Sequence, residues 1–381
     1  MSQRKKIAVN TRFLIKDKLE GIGLFTAETL KKMVAAHPEV DFYFLFDRQW
    51  DEEFIFGPNV TPVKVWPPAR HPFLWYWWFE WSIPSVLNKI KPDLFLSPDG
   101  YCSLSTNYPQ VMVVHDIAFE HFAGHIPGLA EKYLHYFSPR YCKKATRLVA
   151  VSEYTKKDIS ETYKIESAKI DVTCNAPKEI YKPVTEDVKQ RVKAKISGGK
   201  DYYIYVGAIH PRKNVKNLLL AFEQFKKQSG SDFGLVIVGR KAWQFEDVDD
   251  AYNNMEYKKE VHFLGHLPPN ELAEITASAH AMVYVSLFEG FGIPIVEAFK
   301  CGVPVITSNT SSMLEVAGGG GLIVNPLDVN EISGAMQQLA TDKTLREDLI
   351  KSSNLQLEKY TWDHAARLLW NSCETVLKSR A

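Results

Sequence analysis

The stretch AMVYVSLFEGFGIPIVEAFKCGVPVITS, residues Ala281 to Ser308, decides how this chain folds. An apolar, β-rich run passes into a loop in which Gly290 and Gly292 flank Phe291, and a helical pattern begins at Ile293. Pro294 falls in the first turn, where a helix tolerates proline, and a second β-rich run closes the segment. Glu289 and Glu297 stand in it with seven residues between them. An acid in a helix's first turn can simply answer the helix dipole, worth about 0.3–1 kcal/mol. That reading covers Glu297 and leaves Glu289 unexplained. Carboxylates also accept paired hydrogen bonds from vicinal hydroxyls, so two of them at one edge suit a polyol ligand.

The same alternation of short apolar runs and amphipathic stretches extends along nearly the whole chain, which points to α/β architecture with parallel sheets. The first half offers strands in KIAVNTRF, DFYFLF, PDLFLSP, QVMVVHD and TRLVAVS, with a helix expected over Phe25 to Ala36. Ser152 is a good N-cap for a helix over Thr155 to Tyr163. The second half repeats the pattern with YYIYVGA, FGLVIVG, VHFLG, AMVYVS and VPVITS, and with helices over Asn217–Gln228, Asn270–Ala279 and from Ile293. Between the halves lies a polar stretch with a linker expected around Pro177 to Pro183. A chain of 381 residues is too long for one ordinary core, so the expectation is one open α/β domain over residues 1–180 and a second over 181–360. Ligands of such sheets sit at the carboxyl ends of the strands.

Three further loops at strand ends could carry chemistry. In RFLIKDKLEGIGLFTAETLKK, Gly21 and Gly23 precede a helix, where glycines allow close backbone approach and helix amides favour an anion. Thr26 holds the place of a dinucleotide fingerprint's third glycine, and a plain tight turn explains GxG equally well. In YVGAIHPRKNVKNLLLAF, Gly207 leads to Arg212 and Lys213 ahead of a helix, a pair suited to a diphosphate, although a solvated basic loop would look the same. In VMVVHDIAFE, His115 ends a very apolar strand and is either a structural histidine or a partner for a substrate hydroxyl or phosphate.

Composition narrows the classes. Lys plus Arg is 46 against 45 Asp plus Glu, a net charge of +1, which gives no support for nucleic-acid binding. The five cysteines form no CxxC pair, so neither a zinc site nor a disulfide framework is indicated. Asp247 and Asp249 in EDVDDAY sit in an acidic loop and are not read as metal ligands. MSQRKKIAVN is too short an apolar start for a signal peptide and no run of about 18 apolar residues appears, so a cytoplasmic protein is expected. HPFLWYWWFEWSIP, His71 to Pro84, packs four tryptophans between Trp75 and Trp81. It reads as a face buried under a domain or as an interfacial, acceptor-binding surface.

Taken in order, the motifs resemble the retaining, nucleotide-sugar-dependent glycosyltransferases of family 4, which have the two-domain GT-B fold. The resemblance rests on GIG at Gly21–Gly23, VHD at Val114–Asp116, VAVSEYTKKDI, VGAIHPRKN, IVGR, GHLPPNEL, the long segment from SLFEGFG to NPLD, and YTWDHAA. It implies two Rossmann-like domains facing a central cleft, the N-terminal one binding acceptor and the C-terminal one the nucleotide sugar. A C-terminal helix over 361–381 would cross back onto the first domain.

For the site, the resemblance implies that Glu297 holds the donor ribose and Glu289 the transferred sugar, helped by the amides of Phe291, Gly292 and Ile293. Arg212 and Lys213 would neutralise the diphosphate, with Gly21, Gly23 and Gly207 bordering it and His115 near the reacting sugar. Gly239, Arg240 and His266 would lie beside the base. Ala208 stands where many relatives carry arginine, so Arg212 would supply that charge.

No metal or other cofactor is implied, since cations and helix N-termini would stabilise the leaving group. The expected donor is GDP-mannose or a UDP-sugar, with a mannose-like hexose favoured by the PRKN loop. The expected acceptor is a saccharide or lipid-linked saccharide of cell-surface polysaccharide, such as lipopolysaccharide, reached by peripheral contact with the inner face of the cytoplasmic membrane. A non-catalytic nucleotide-sugar or glycan binder on the same fold is the alternative.

Overall fold

The structure, a computed structural model, describes residues 4–124, 126–240 and 246–379. The chain forms two compact units, one of residues 1–175 with 362–381 and one of residues 176–361.

The first unit holds a seven-stranded sheet of β1 (Lys6–Asn10), β2 (Asp41–Phe46), β3 (Val60–Lys64), β4 (Leu94–Ser97), β5 (Gln110–Val114), β6 (Arg147–Ala150) and β7 (Ile170–Val172). Its order is β3-β2-β1-β4-β5-β6-β7, and every pairing is parallel. Burial on both faces explains why β4 and β5 are almost continuously apolar rather than alternating. The second unit's six-stranded sheet comprises β8 (Tyr202–Val206), β9 (Gly234–Val238), β10 (Val261–Gly265), β11 (Ala281–Tyr284), β12 (Val305–Ser308) and β13 (Gly321–Val324). Its order is β10-β9-β8-β11-β12-β13, again all parallel. In each sheet the winding reverses once, between β1 and β4 and between β8 and β11. Loops leaving the two strands at such a point diverge and open a crevice.

Three strands were not anticipated: β3, β7 and β13. All three lie at sheet edges, where half-exposed residues blur the apolar signal; Thr61 and Lys64 of β3 are exposed. The first helix spans Ile22–Ala36 and so begins three residues before the expected Phe25. Gly23 is therefore helical, and its lack of a side chain matters there, because a Cβ would lie 2.8 Å from the Phe13 carbonyl oxygen. Ser152 caps the helix Glu153–Tyr163, its hydroxyl accepting from Thr155 N at 3.0 Å.

The helix Trp362–Lys378 belongs to the first unit. It packs on Ile22–Ala36 through Phe25 and Trp362, with Lys32 bonding Asp363 at 2.9 Å and the Thr173 hydroxyl donating to the Ala365 carbonyl at 3.0 Å. The tryptophan-rich stretch forms a helix Pro72–Trp77, a π turn Trp78–Ser82 and a helix Ile83–Ile90. The expected buried face holds for Trp78 and Phe79, which are core residues, whereas Trp77 and Trp81 are exposed.

Candidate active site

The reversal between β8 and β11 puts two loops side by side that are far apart in sequence. After β8 the chain runs through Gly207 to a single 3₁₀ turn, Pro211–Lys213, capped by His210, before the helix Val215–Ser229. After β11 it runs through Val285–Gly292 into the helix Ile293–Lys300. Leu287 N donates to the Arg212 carbonyl at 2.8 Å, which clasps the loops together. Asn214 takes a left-handed conformation at φ 60° and donates its side-chain amide to the carbonyls of Val285 and Pro326, at 3.0 and 2.7 Å.

Arg212, Lys213 and Glu289 meet here. Lys213 Nζ donates to Glu289 Oε1 at 2.5 Å and to the Tyr284 hydroxyl at 3.0 Å, and that hydroxyl donates to the same carboxylate oxygen at 3.0 Å. Arg212 Nη1 donates to the Phe288 carbonyl at 2.6 Å and approaches Glu289 Oε2 at 3.4 Å. Burial alone would raise the Glu289 pKa, but Lys213 and Arg212 outweigh it and hold the group below the usual glutamate range. Two cations and one carboxylate are thus gathered at the carboxyl edge of the sheet. The backbone of the loop is also pinned: Glu289 N donates to Ser311 Oγ at 3.0 Å, and the Ser312 hydroxyl donates to the carbonyls of Glu289 and Phe291 at 2.8 and 2.9 Å.

Tyr284, Asn214, Ser311 and Ser312 were not singled out from the sequence. A tyrosine ending an otherwise apolar strand is the one legible hint, because a buried phenol needs a polar partner.

Glu297 lies apart from this cluster, on the helix Ile293–Lys300 that follows the loop. It is the fifth residue from Ile293, so it falls beyond the first turn and the helix dipole does not account for it. It is buried, with Tyr181 and Lys178 from the segment before the second sheet beside it; burial, partly offset by Lys178 and the Tyr181 hydroxyl, raises its pKa to about 7. Phe291 is buried and meets the Tyr360 ring edge-on at 5.2 Å, Gly292 caps the helix at φ +98°, and Ile293 opens it.

Three glycines line the ends of β8, β9 and β10. Gly207 N donates to the Val238 carbonyl and Gly239 N to the Gly265 carbonyl, at 2.9 and 2.8 Å. Gly239 has φ +151°, and a Cβ on it would sit 1.8 Å from the Gly207 carbonyl oxygen. No other residue type fits that contact. Arg240 is exposed, its carbonyl accepting from Ile209 N, and His266 is exposed just past β10. Asp247 and Asp249 lie on the helix Glu246–Asn253, Asp247 pairing with Lys216 at 3.2 Å.

In the first unit, Gly21 turns the chain at φ +46° ahead of the helix that contains Gly23. His115 follows β5 with its ring edge on Phe25 at 5.1 Å and Nε2 2.9 Å from the Pro98 carbonyl oxygen. Burial lowers its pKa. A neutral ring donating from Nε2 presents Nδ1 as an acceptor. Beside it, at the β1/β4 reversal, a polar network absent from the sequence reading joins Arg12 Nε to Asp99 Oδ2 at 2.5 Å, Ser97 Oγ to Asp99 Oδ1 at 3.1 Å, and Asn10 Nδ2 to Ser97 Oγ at 3.0 Å. Arg12 also lies 4.2 Å over the Tyr101 ring.

Residues 19–176 match the family described as Glycosyltransferase Family 4, and residues 187–356 match that described as Glycosyl transferases group 1. Together they span most of the chain, which is a glycosyltransferase with two Rossmann-like domains of the GT-B class. It belongs to glycosyltransferase family 4. The chain is 28% identical to O-antigen chain mannosyltransferase B of Escherichia coli, over 92% of this chain and 94% of that protein. It is 29% identical to O-antigen chain mannosyltransferase RfbU of Salmonella typhimurium, over 82% and 83%. Among solved structures it resembles sucrose-phosphate synthase from Thermosynechococcus elongatus, with TM-score 0.79 and 17% identity over 99% and 100% of the two chains. It also resembles Anabaena HepE in complex with UDP and glucose, with TM-score 0.73 and 15% identity over 98% and 99%. At these identities the structural likenesses establish the fold.

Proposed function

We propose that this protein transfers a mannose-like hexose from a nucleoside-diphosphate sugar to a saccharide or lipid-linked saccharide during assembly of a cell-surface polysaccharide, with retention of anomeric configuration. The Arg212–Lys213–Glu289 cluster carries the reading: its two cations lie where two strand-end loops meet, the usual ligand position of such a sheet. The two O-antigen mannosyltransferases support a mannosyl donor, GDP-mannose in this reading, with a UDP-sugar as the other choice.

In this reading the donor's C1–O bond to the diphosphate breaks while the acceptor hydroxyl oxygen bonds C1 on the same face, and its proton passes to the departing phosphate oxygen. Arg212 and Lys213 stabilise the charge that grows on that oxygen, which requires no metal. Glu289 accepts from hydroxyls of the sugar, and Glu297 from the ribose. Gly207 and Gly239 admit the nucleotide to the backbone, Arg240 and His266 border the base, and Gly21, Gly23 and the acceptor nitrogen of His115 serve the donor from the first domain. A lipid-linked acceptor places the protein on the cytoplasmic face of the membrane.

A thermal-shift panel of GDP-, UDP- and ADP-sugars, followed by a transfer assay with the stabilising donor, tests this. Lys213→Ala is expected to lower turnover by about 10²-fold or more, the scale of losing one transition-state charge partner. Full turnover by that variant would refute the phosphate role.

A further inference from the structure

Much of the exposed apolar surface is gathered in one place. Trp66, Phe73, Tyr76, Trp77 and Trp81 are 69, 72, 40, 42 and 54% exposed, and Tyr136 on the neighbouring helix Gly128–Lys144 is 55% exposed. They form a ridge, all but Phe73 joined through ring contacts: Trp77 touches Trp66 and Trp81, with ring centroids 6.1 and 4.7 Å apart, Tyr76 touches Trp81 and Phe137, and Phe137 touches Tyr136. Along the helical stretch, exposed positions recur every four residues at Phe73, Trp77, Trp81, Ser85 and Lys89. The opposite side supplies Trp78, Phe79, Ile83 and Leu87 to the core. Packing of the unit is therefore complete without the ridge.

Charge separates the readings of such a surface. Between Thr61 and Pro92 the only acid is Glu80. It is buried and turned inward, accepting from Leu104 N at 3.0 Å and the Ser105 hydroxyl at 2.5 Å. The cations of that span, Lys64, Arg70, Lys89 and Lys91, are all exposed, and Arg140 lies 3.6 Å over the Tyr136 ring. This bias is local, since the whole chain carries a net charge of only +1. A glycan would call for carboxylates or amides beside the rings to take up its hydroxyls, and Asn88 is the sole such side chain exposed in the span. Tryptophan and tyrosine with lysine and arginine, and no exposed acid, match the headgroup zone of an anionic bilayer.

We infer that the ridge of Trp66, Phe73, Tyr76, Trp77, Trp81 and Tyr136, with its flanking cations, docks this protein on an anionic lipid surface. The inference deepens the reading of a lipid-linked acceptor by assigning the face that meets the membrane, and its test requires no acceptor.

The full-length protein is sedimented with phosphatidylcholine vesicles and with vesicles containing 30% phosphatidylglycerol. Wild type should bind the anionic vesicles about tenfold more tightly than the neutral ones, and high salt should remove that preference. Trp77→Ser with Trp81→Ser should weaken binding by about tenfold or more, while the thermal shift with nucleoside diphosphate stays at the wild-type value. Arg70→Glu with Lys89→Glu should erase the lipid preference. Phe73→Ser, at a position mostly in solvent, repeats the test without risk to the core. Wild type that ignores both vesicles, equal binding to both, or unchanged binding by the tryptophan and Phe73 variants would overturn the inference. So would a dimer that the tryptophan variant dissolves, or binding of soluble polysaccharide in place of vesicles. Vesicle binding without any nucleotide-dependent shift would instead count against the proposed function and leave the docking surface standing.

Discussion

Replacing Glu289 by glutamine separates two effects that a simple loss-of-function variant would merge. Glu289 is 7% exposed and is the shared partner of Lys213 and Arg212, whose side chains are 15 and 20% exposed. Removing one member of a buried ion pair typically costs about 3–5 kcal/mol. Glutamine still accepts from Lys213 and Tyr284 through its carbonyl oxygen, and both cations keep some water, so the expected cost here is about 1–3 kcal/mol. For a unit of this size that lowers the melting temperature by about 2–12 °C.

The same change removes the carboxylate charge that competes with an external anion for both cations. A nucleoside diphosphate should therefore bind Glu289→Gln more tightly, by about 5- to 30-fold if 1–2 kcal/mol of the lost pairing is recovered. The intact sugar donor should gain less, because the variant also loses the acceptor proposed for the sugar hydroxyls, and turnover should fall. Calorimetric melting with and without nucleotide, together with titration of both ligands, reads all of this. An unchanged melting temperature combined with equal or weaker diphosphate binding would refute the view that this carboxylate holds the phosphate-binding cations in place.

Two further outcomes follow from single residues. Burial raises the Glu297 pKa to about 7, above its value in the unfolded chain. The folded state then binds the extra proton between roughly pH 4.5 and 7, so stability should fall with rising pH through that window and level off above it, by a few kcal/mol at most. Urea midpoints across pH 4.5–8 should show that slope in wild type and not in Glu297→Gln; equal slopes would mean that the carboxyl is not buried in solution. Gly239→Ala should cost about 3 kcal/mol or more, since its Cβ would lie 1.8 Å from the Gly207 carbonyl oxygen. Gly319→Ala, where nothing lies within 4 Å of the added carbon, should be nearly neutral in the same urea titration.

The chain's repeated apolar runs were enough to announce an α/β protein with parallel sheets, because strands buried on both faces must be apolar over their whole length. Capping and turn chemistry likewise placed Ser152, Pro294 and the glycines of the strand-end loops, since these are local requirements of backbone geometry. Edge strands β3, β7 and β13 escaped because a half-exposed strand carries no such constraint.

Partnership was beyond the sequence. Lys213 and Glu289 are 76 residues apart, and only the reversal of strand order between β8 and β11 makes them neighbours. Tyr284, which bonds both, looks like one more apolar strand residue until its hydroxyl is seen to face the pair. The Glu289–Glu297 spacing suggested one motif, yet tertiary packing gives its members opposite environments. Glu289 is ionised between two cations, whereas Glu297 is buried beside Tyr181 with its pKa raised to about 7. Residue type sets what a carboxyl group can do; its charge is set by the neighbours that folding brings to it.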